Sequence, residues 1–192
     1  ERGTYIFNSR DLCMIEHIPE MIDAGIDSFK IEGRMKTALY VATVARTYRR
    51  ALDDYKKDPV LYAANLEWYK EEIGKCTYRE FTTGFYFGPP TEEAQIYDNN
   101  TYVKNYTYLG TVKEGDGKGR CRIQQKNKFA LGETIELMKP DGRNLEAVVT
   151  KIQDLEGNSQ ESAPHPKQEL WVSLGVDVKA GDILRKKEDG ET

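Results

Sequence analysis

The sequence predicts an α+β chain: a fragment of an α/β barrel or doubly wound sheet with two long helices, followed by a small all-β barrel or sandwich. Three observations predict it. Apolar residues recur at spacings of three and four through residues 37–73. Short β-prone runs precede that region, alternating with helical patterns. Beyond residue 105, strand candidates are separated by Gly and Asp-Gly turns, with no helix-length periodicity after residue 91.

In order, Thr4-Tyr5-Ile6-Phe7 reads as a strand ending at Asn8-Ser9, both good helix caps. Arg10 to Ile15 reads as a helical turn. Pro19 suits a first helical position, and the segment Pro19 to Ala24 closes at Gly25. Ile26 to Ile31 reads as a second strand, broken by Glu32-Gly33-Arg34. A long helix is expected from Thr37 to Lys57, on Tyr40, Val41, Val44, Ala45, Tyr48, Ala51, Leu52 and Tyr55. Asp58-Pro59 stops it. A second helix, Pro59 to Ile73, ends at Gly74. Two strands do not make a stable parallel sheet alone, so this portion reads as part of a larger domain.

The turn-rich stretch from Thr82 to Asn105 is the natural linker. Strands are then expected at Tyr106–Lys113, Arg120–Gln125, Thr134–Met138, Ala147–Ile152, Glu169–Leu174 and Ile183–Lys186. The expected boundaries are residues 1–84 for the α/β part, 85–105 for the linker, 106–187 for the β-barrel and 188–192 for a frayed, charged tail.

With 28 basic and 32 acidic residues the 192-residue chain carries a net charge of −4, which gives no general support to nucleic-acid binding. No apolar run approaches the roughly 20 residues of a membrane span. The opening lacks the apolar stretch of a signal peptide, and the absent initiator Met predicts a piece of a longer chain. Cys13, Cys76 and Cys121 lie 63 and 45 residues apart, which excludes a close-spaced metal site and predicts reduced thiols and a cytoplasmic setting.

The densest polar cluster is Lys30-Ile31-Glu32-Gly33-Arg34-Met35-Lys36. On a strand, Lys30 and Glu32 share one face, and at a strand's C-terminal end they would project into the active face of an α/β barrel. They are the catalytic candidates, although a buried Lys30–Glu32 pair explains the same pattern. Arg34 and Lys36 fall near a helix start, where anionic ligands are favoured. With Asn8 and Asp11 at the end of the other strand, they are the substrate-binding candidates; helix capping explains Asn8 or Ser9 without function. His17 and His165 form no recognisable triad or zinc pattern. In the β half, Arg120, Arg122, Lys126 and Lys128 lie in a stretch, 117–132, without an acid. Alternation puts Arg120 and Arg122 on one strand face, where they can grip phosphates of RNA or a partner, or form an ordinary solvated face. The aromatics of residues 78–108 are assigned to packing.

The segments Gly3 to Leu12, Gly25 to Lys36 and Tyr48 to Asp53 resemble the collagenase-like peptidase family U32. Tyr108-Leu109-Gly110, Lys126 to Phe129 and Gly181-Asp182-Ile183-Leu184-Arg185 resemble its C-terminal β domain. The resemblance implies the end of a TIM-like α/β catalytic barrel followed by a β-barrel similar to the second domain of elongation factor Tu. It implies two activities for the parent: proteolysis of a protein substrate, or hydroxylation of RNA bases such as the wobble uridine of tRNA. For the latter it implies an iron–sulfur cluster on cysteines upstream of residue 1, with no cofactor in this segment. The upstream catalytic domain is then the partner on which this segment depends, and the segment alone is expected to be inactive.

Overall fold

The computed structural model describes residues 9–91, 96 and 102–188. They fall into two compact units, Glu1–Lys104 and Asn105–Thr192. Among the described residues no helix is long and apolar enough to cross a membrane.

The first unit is mainly helical. Strand β1 (Asp11–Leu12) runs parallel to β2 (Phe81–Thr82), in register Asp11 to Phe81 and Leu12 to Thr82. A 3₁₀ turn, Ile15–His17, leads into α1 (Ile18–Asp23), with Pro19 in its first turn. Helix α2 (Ala38–Lys57) starts at Thr37, whose hydroxyl accepts the Tyr40 N–H, and ends on Lys56 and Lys57, cations that suit its negative end. Asp58 closes α2 and caps α3 (Pro59–Ala64) by accepting the Val60 N–H at 2.9 Å. Helix α4 (Leu66–Ile73) follows.

Several sequence expectations change here. The helical turn expected over residues 10–15 is replaced by β1 at Asp11–Leu12, and helical backbone begins only at Ile15. The helix expected over 59–73 is two, broken at Asn65, whose amide donates to the Asp54 carboxylate at 3.1 Å. A short amide side chain that finds a partner off the helix axis competes with helix continuation. Ile26–Ile31 forms no strand; Ile26 and Ile31 are each 38% exposed. A β-prone run becomes a strand only beside another backbone that takes its hydrogen bonds. The strand expected at 4–7 lies outside the described residues. Among the described residues the parallel strands are β1 and β2 alone, so a TIM-like barrel is not shown.

The inner face of α2 also departs from the purely apolar stripe. Leu39, Thr43, Val44, Arg46, Thr47 and Ala51 are buried. Arg46 donates to Glu72 of α4, and Lys75 lies 3.3 Å from the same carboxylate. Tyrosine hydroxyls tie these elements together: Tyr62 of α3 donates to the Ile15 carbonyl of the 3₁₀ turn at 2.8 Å, and Tyr69 of α4 to Asp54 of α2 at 2.6 Å.

The second unit is all-β. Strands β3 (Tyr106–Gly115), β4 (Arg120–Gln125), β6 (Thr134–Met138), β7 (Asn144–Val148), β8 (Lys151–Gln153), β9 (Ser159–Gln160), β11 (Glu169–Ser173) and β12 (Ile183–Lys187) form one antiparallel sheet. Their order is β7-β6-β12-β3-β4-β11-β8-β9, and β5 (Phe129–Ala130) pairs separately with β10 (Ser162–Ala163). The run expected as one strand, Ala147–Ile152, turns a corner at Val149-Thr150. The Val149 N–H goes to Glu133 and the Thr150 N–H to Ser173, each at 2.9 Å. Only those two residues separate β7, at one edge, from β8, near the other, so the sheet must curl into a half-barrel. Its similarity to elongation factor Tu is not shown. Leu109, Ile123, Phe129, Leu137, Leu170 and Leu184 fill the concave side. Gly119, at φ +105°, sits against Gly175 where a Cβ would come within 2.9 Å of backbone.

Two buried ion pairs hold this half-barrel. Lys139 Nζ lies 2.7 Å from Asp182, which also accepts the Lys179 N–H. Arg185, fully buried, donates through Nε to Glu136 at 2.6 Å beside a register shift in β12. Removing one member of such a pair strands a charge in an apolar interior. Asp182→Ala takes the nearer carboxylate from Lys139, leaving Asp177 at 3.7 Å, and is therefore expected to cost the fold about 1–3 kcal/mol. Urea denaturation followed by Trp171 fluorescence in a Trp68→Phe background measures it, and a loss below about 1 kcal/mol contradicts the pairing.

Candidate functional site

The first unit carries a cavity of about 680 Å³ lined by Asp11 and Leu12 of β1, residues 28–36, the inner side of α2 and Arg79. Its geometry starts at Asp11. The carboxylate, 13% exposed, accepts from Arg79 Nε at 2.9 Å and from the Arg79 backbone N–H at 3.0 Å. Arg79 Nη2 lies 2.8 Å from the same group, and Lys36 Nζ 3.6 Å. Lys36 Nζ is buried and also lies 5.0 Å and 5.1 Å from the ring centres of Tyr40 and Tyr102. Charge attraction and two aromatic faces thus hold one ammonium.

The Glu32-to-Lys36 turn forms the cavity's outer wall. Glu32 Oε1 accepts the Arg34 N–H at 3.0 Å, and the Lys36 N–H goes to the Gly33 carbonyl at 2.9 Å. Gly33 is set by close approach: a Cβ there would come within 2.8 Å of the Val41 side chain. Lys30 and Glu32 are both exposed, which overturns a buried Lys30–Glu32 pair as the explanation of the motif. The lining includes Lys30, Arg34, Lys36 and Arg79 as cations against Asp11 and Glu32 as acids. Phe29, Tyr40, Tyr48 and Tyr86 add aromatic surface.

Five residues singled out in the sequence, Asp11, Lys30, Glu32, Arg34 and Lys36, therefore meet at one cavity. Asn8 lies outside the described residues. Arg79, the main partner of Asp11, stands 68 residues away and carries no sequence signal beyond being a cation next to aromatics.

Burial shapes the chemistry available. It pushes the Tyr40 hydroxyl up to about 12, with the Asp11 charge adding to the effect. The Tyr48 hydroxyl, which accepts the Met14 N–H at 2.8 Å, is pushed far up by the same desolvation. Both phenols stay protonated near neutrality, so they can donate but not act as bases. Desolvation also raises the Cys13 thiol, and it pushes the Cys121 thiol up to about 12, the opposite of an activated nucleophile. His17 faces Glu20 at 3.2 Å. Among the described residues no three His, Cys, Asp or Glu side chains converge as metal ligands.

In the second unit Arg120 and Arg122 stand on one face of β4, as alternation requires. Folding supplies the acids that residues 117–132 lack. Arg122 pairs with Glu169 of β11 at 2.5 Å and with Glu114 of β3 at 3.0 Å. Arg120 instead stacks on Trp171, 4.3 Å from its ring centre. Lys126 donates to Gln124 at 3.0 Å, and Lys128 is exposed.

These features define a two-unit α+β protein whose helical unit carries a cationic, aromatic cavity. The chain belongs to peptidase family U32: the profile of that family matches residues 1–96, and that of its C-terminal domain matches residues 104–185. It is 36% identical over 187 residues to tRNA hydroxylation protein P1 of Bacillus subtilis, covering 97% of this chain and 44% of that protein. It is 47% identical over 185 residues to an uncharacterized protease of Methanocaldococcus jannaschii, covering 94% and 44%. It is 33% identical over 183 residues to a collagenase of Porphyromonas gingivalis, covering 94% and 50%. The chain thus spans half or less of each of these relatives' length.

The geometry separates Asp11 from Glu32. Asp11→Asn leaves Arg79 and Lys36 without their shared charge and is expected to cost about 1–3 kcal/mol. Glu32→Gln, at an exposed carboxylate, is expected to change stability by no more than about 0.5 kcal/mol. Urea midpoints of the two variants compare them directly, and equal values contradict the assignment of Asp11 as the organiser.

Proposed function

We propose that this chain is the C-terminal part of a U32 enzyme that hydroxylates a tRNA base, with the Asp11 cavity receiving the RNA. The observation that carries this reading is the make-up of the cavity: four cations against two acids, with aromatic rings in the same wall. A polyanion whose bases have flat faces matches such a surface. Lys30 and Arg34 meet backbone phosphates. Asp11 holds Arg79 and the buried Lys36 ammonium in the wall of the same volume, where they contribute positive charge. One Glu32 oxygen holds the turn, and the carboxylate faces the substrate as a hydrogen-bond acceptor. Exposed Arg120 and Lys128 on the half-barrel supply further phosphate contacts, with the half-buried Lys126 beside them, whereas Arg122 is already neutralised by two carboxylates.

The oxidising chemistry belongs to the parent. An iron–sulfur cluster on upstream cysteines is part of this proposal, and the cysteines of this chain do not fit one: Cys76 and Cys121 are buried and Cys13 is half-buried, on separate elements. The names collagenase and protease among the relatives support a peptidase reading, but the raised thiols and the Glu20-paired His17 supply no activated nucleophile.

The test is made on the full-length parent. Lys30→Ala with Arg34→Ala is expected to lower hydroxylated wobble uridine, read by nucleoside mass spectrometry, at least about tenfold. Measured as a ratio of kcat/KM, a tenfold loss corresponds to about 1.4 kcal/mol. Gelatin cleavage by the wild type, without any modified uridine, overturns the reading in favour of proteolysis.

A further inference from the structure

After β2 the chain makes a loop with three consecutive aromatic residues in water. Phe85 is 79% exposed, Tyr86 59% and Phe87 61%. Packing, the role expected of the aromatics in this stretch, does not account for these three. Their neighbours Tyr78 and Phe81 do pack, stacked on each other at 4.4 Å. The loop is built rather than slack. The Gly84 N–H goes to the Thr82 hydroxyl at 3.1 Å, the Tyr86 N–H to the Thr83 carbonyl at 3.3 Å, and the Gly88 N–H to the Phe85 carbonyl at 3.4 Å. The His17 ring backs Phe87 at 4.4 Å between centres. Tyr86 belongs to the wall of the Asp11 cavity.

We infer that Phe85, Tyr86 and Phe87 form a stacking platform for unpaired nucleotides next to the cavity. The inference rests on the RNA reading of that cavity and narrows its substrate to single-stranded RNA. Two properties select this occupant. Residues 81–91 carry no charge, so the platform offers flat apolar faces without a fixed sign. The cavity beside it holds the cations Lys30, Arg34, Lys36 and Arg79 against two acids, the charge complement of a phosphate backbone. Single-strand binders combine these two elements, a cationic groove and rings on which successive bases stack. Duplex RNA hides its base faces and gains nothing from exposed rings.

The experiment compares the full-length parent with Phe85→Ala/Phe87→Ala and Phe85→Leu/Phe87→Leu variants. Fluorescence anisotropy measures binding of an anticodon stem-loop and of a fully paired duplex of equal length. Both variants are expected to lose at least about tenfold in affinity for the stem-loop. Duplex affinity and the salt dependence of binding are expected to stay at wild-type values, because no phosphate contact has been removed. If the Ala variant does not fold, the Leu variant decides, since it keeps apolar volume and removes the ring face. Wild-type stem-loop affinity in the Leu variant overturns the platform. So does a changed oligomeric state with unchanged RNA affinity, which assigns the rings to a protein contact. A wild-type parent that binds no tRNA overturns the RNA reading itself, a result distinct from either.

Discussion

The Asp11 carboxylate ties together three segments far apart in the sequence. It takes two charge-assisted hydrogen bonds from Arg79, just ahead of β2, and lies 3.6 Å from Lys36, just ahead of α2. One half-buried anion between two cations leaves a net positive centre, which water only partly screens. Everything else in the cavity is placed relative to that centre. The Glu32–Lys36 turn is anchored at its far end by Lys36 and at its middle by Gly33 against α2. The short β1–β2 pair runs through Asp11 itself, so the ladder and the ion pair support each other.

The half-barrel shows a different use of charge. Asp182 and Arg185 stand in a segment by which the family resemblance was seen, and both are buried in ion pairs, with Lys139 and Glu136. A sequence motif there marks the interior of a fold, not a reactive site. On the outer face Arg122 is consumed by Glu114 and Glu169, while the Arg120 guanidinium sits over the Trp171 ring, 4.3 Å from its centre. Stacked guanidinium keeps its charge outward, so the two arginines of one strand differ in what they can still bind.

Much of the β half was legible because period-two alternation and Asp-Gly turns report local geometry. The burial of Cys121, Ile123 and Gln125 between Arg120, Arg122 and Gln124 follows that alternation. The corner at Val149-Thr150 was not legible, since both sides of it are β-prone and only pairing with two different strands separates β7 from β8. In the helical unit, spacing located α2 to within a residue. It did not show that Arg46 faces inward, because the buried Glu72 that compensates it is 26 residues away. Ile26–Ile31 misled for a related reason: its composition suits a strand, but a strand also needs a neighbour. Five cavity residues were visible as a polar cluster and a strand-end acid. Arg79 and the exposed faces of Phe85 to Phe87 depend on tertiary placement, which composition does not encode.

RNA occupancy of the cavity organised by Asp11 is the central proposal. Photo-crosslinking of 4-thiouridine-substituted tRNA to the full-length parent, with adducts mapped by peptide mass spectrometry, tests it most directly. Adducts within residues 28–36 and 79–88 are the predicted result. Adducts confined to the upstream half, or to the half-barrel alone, would contradict it.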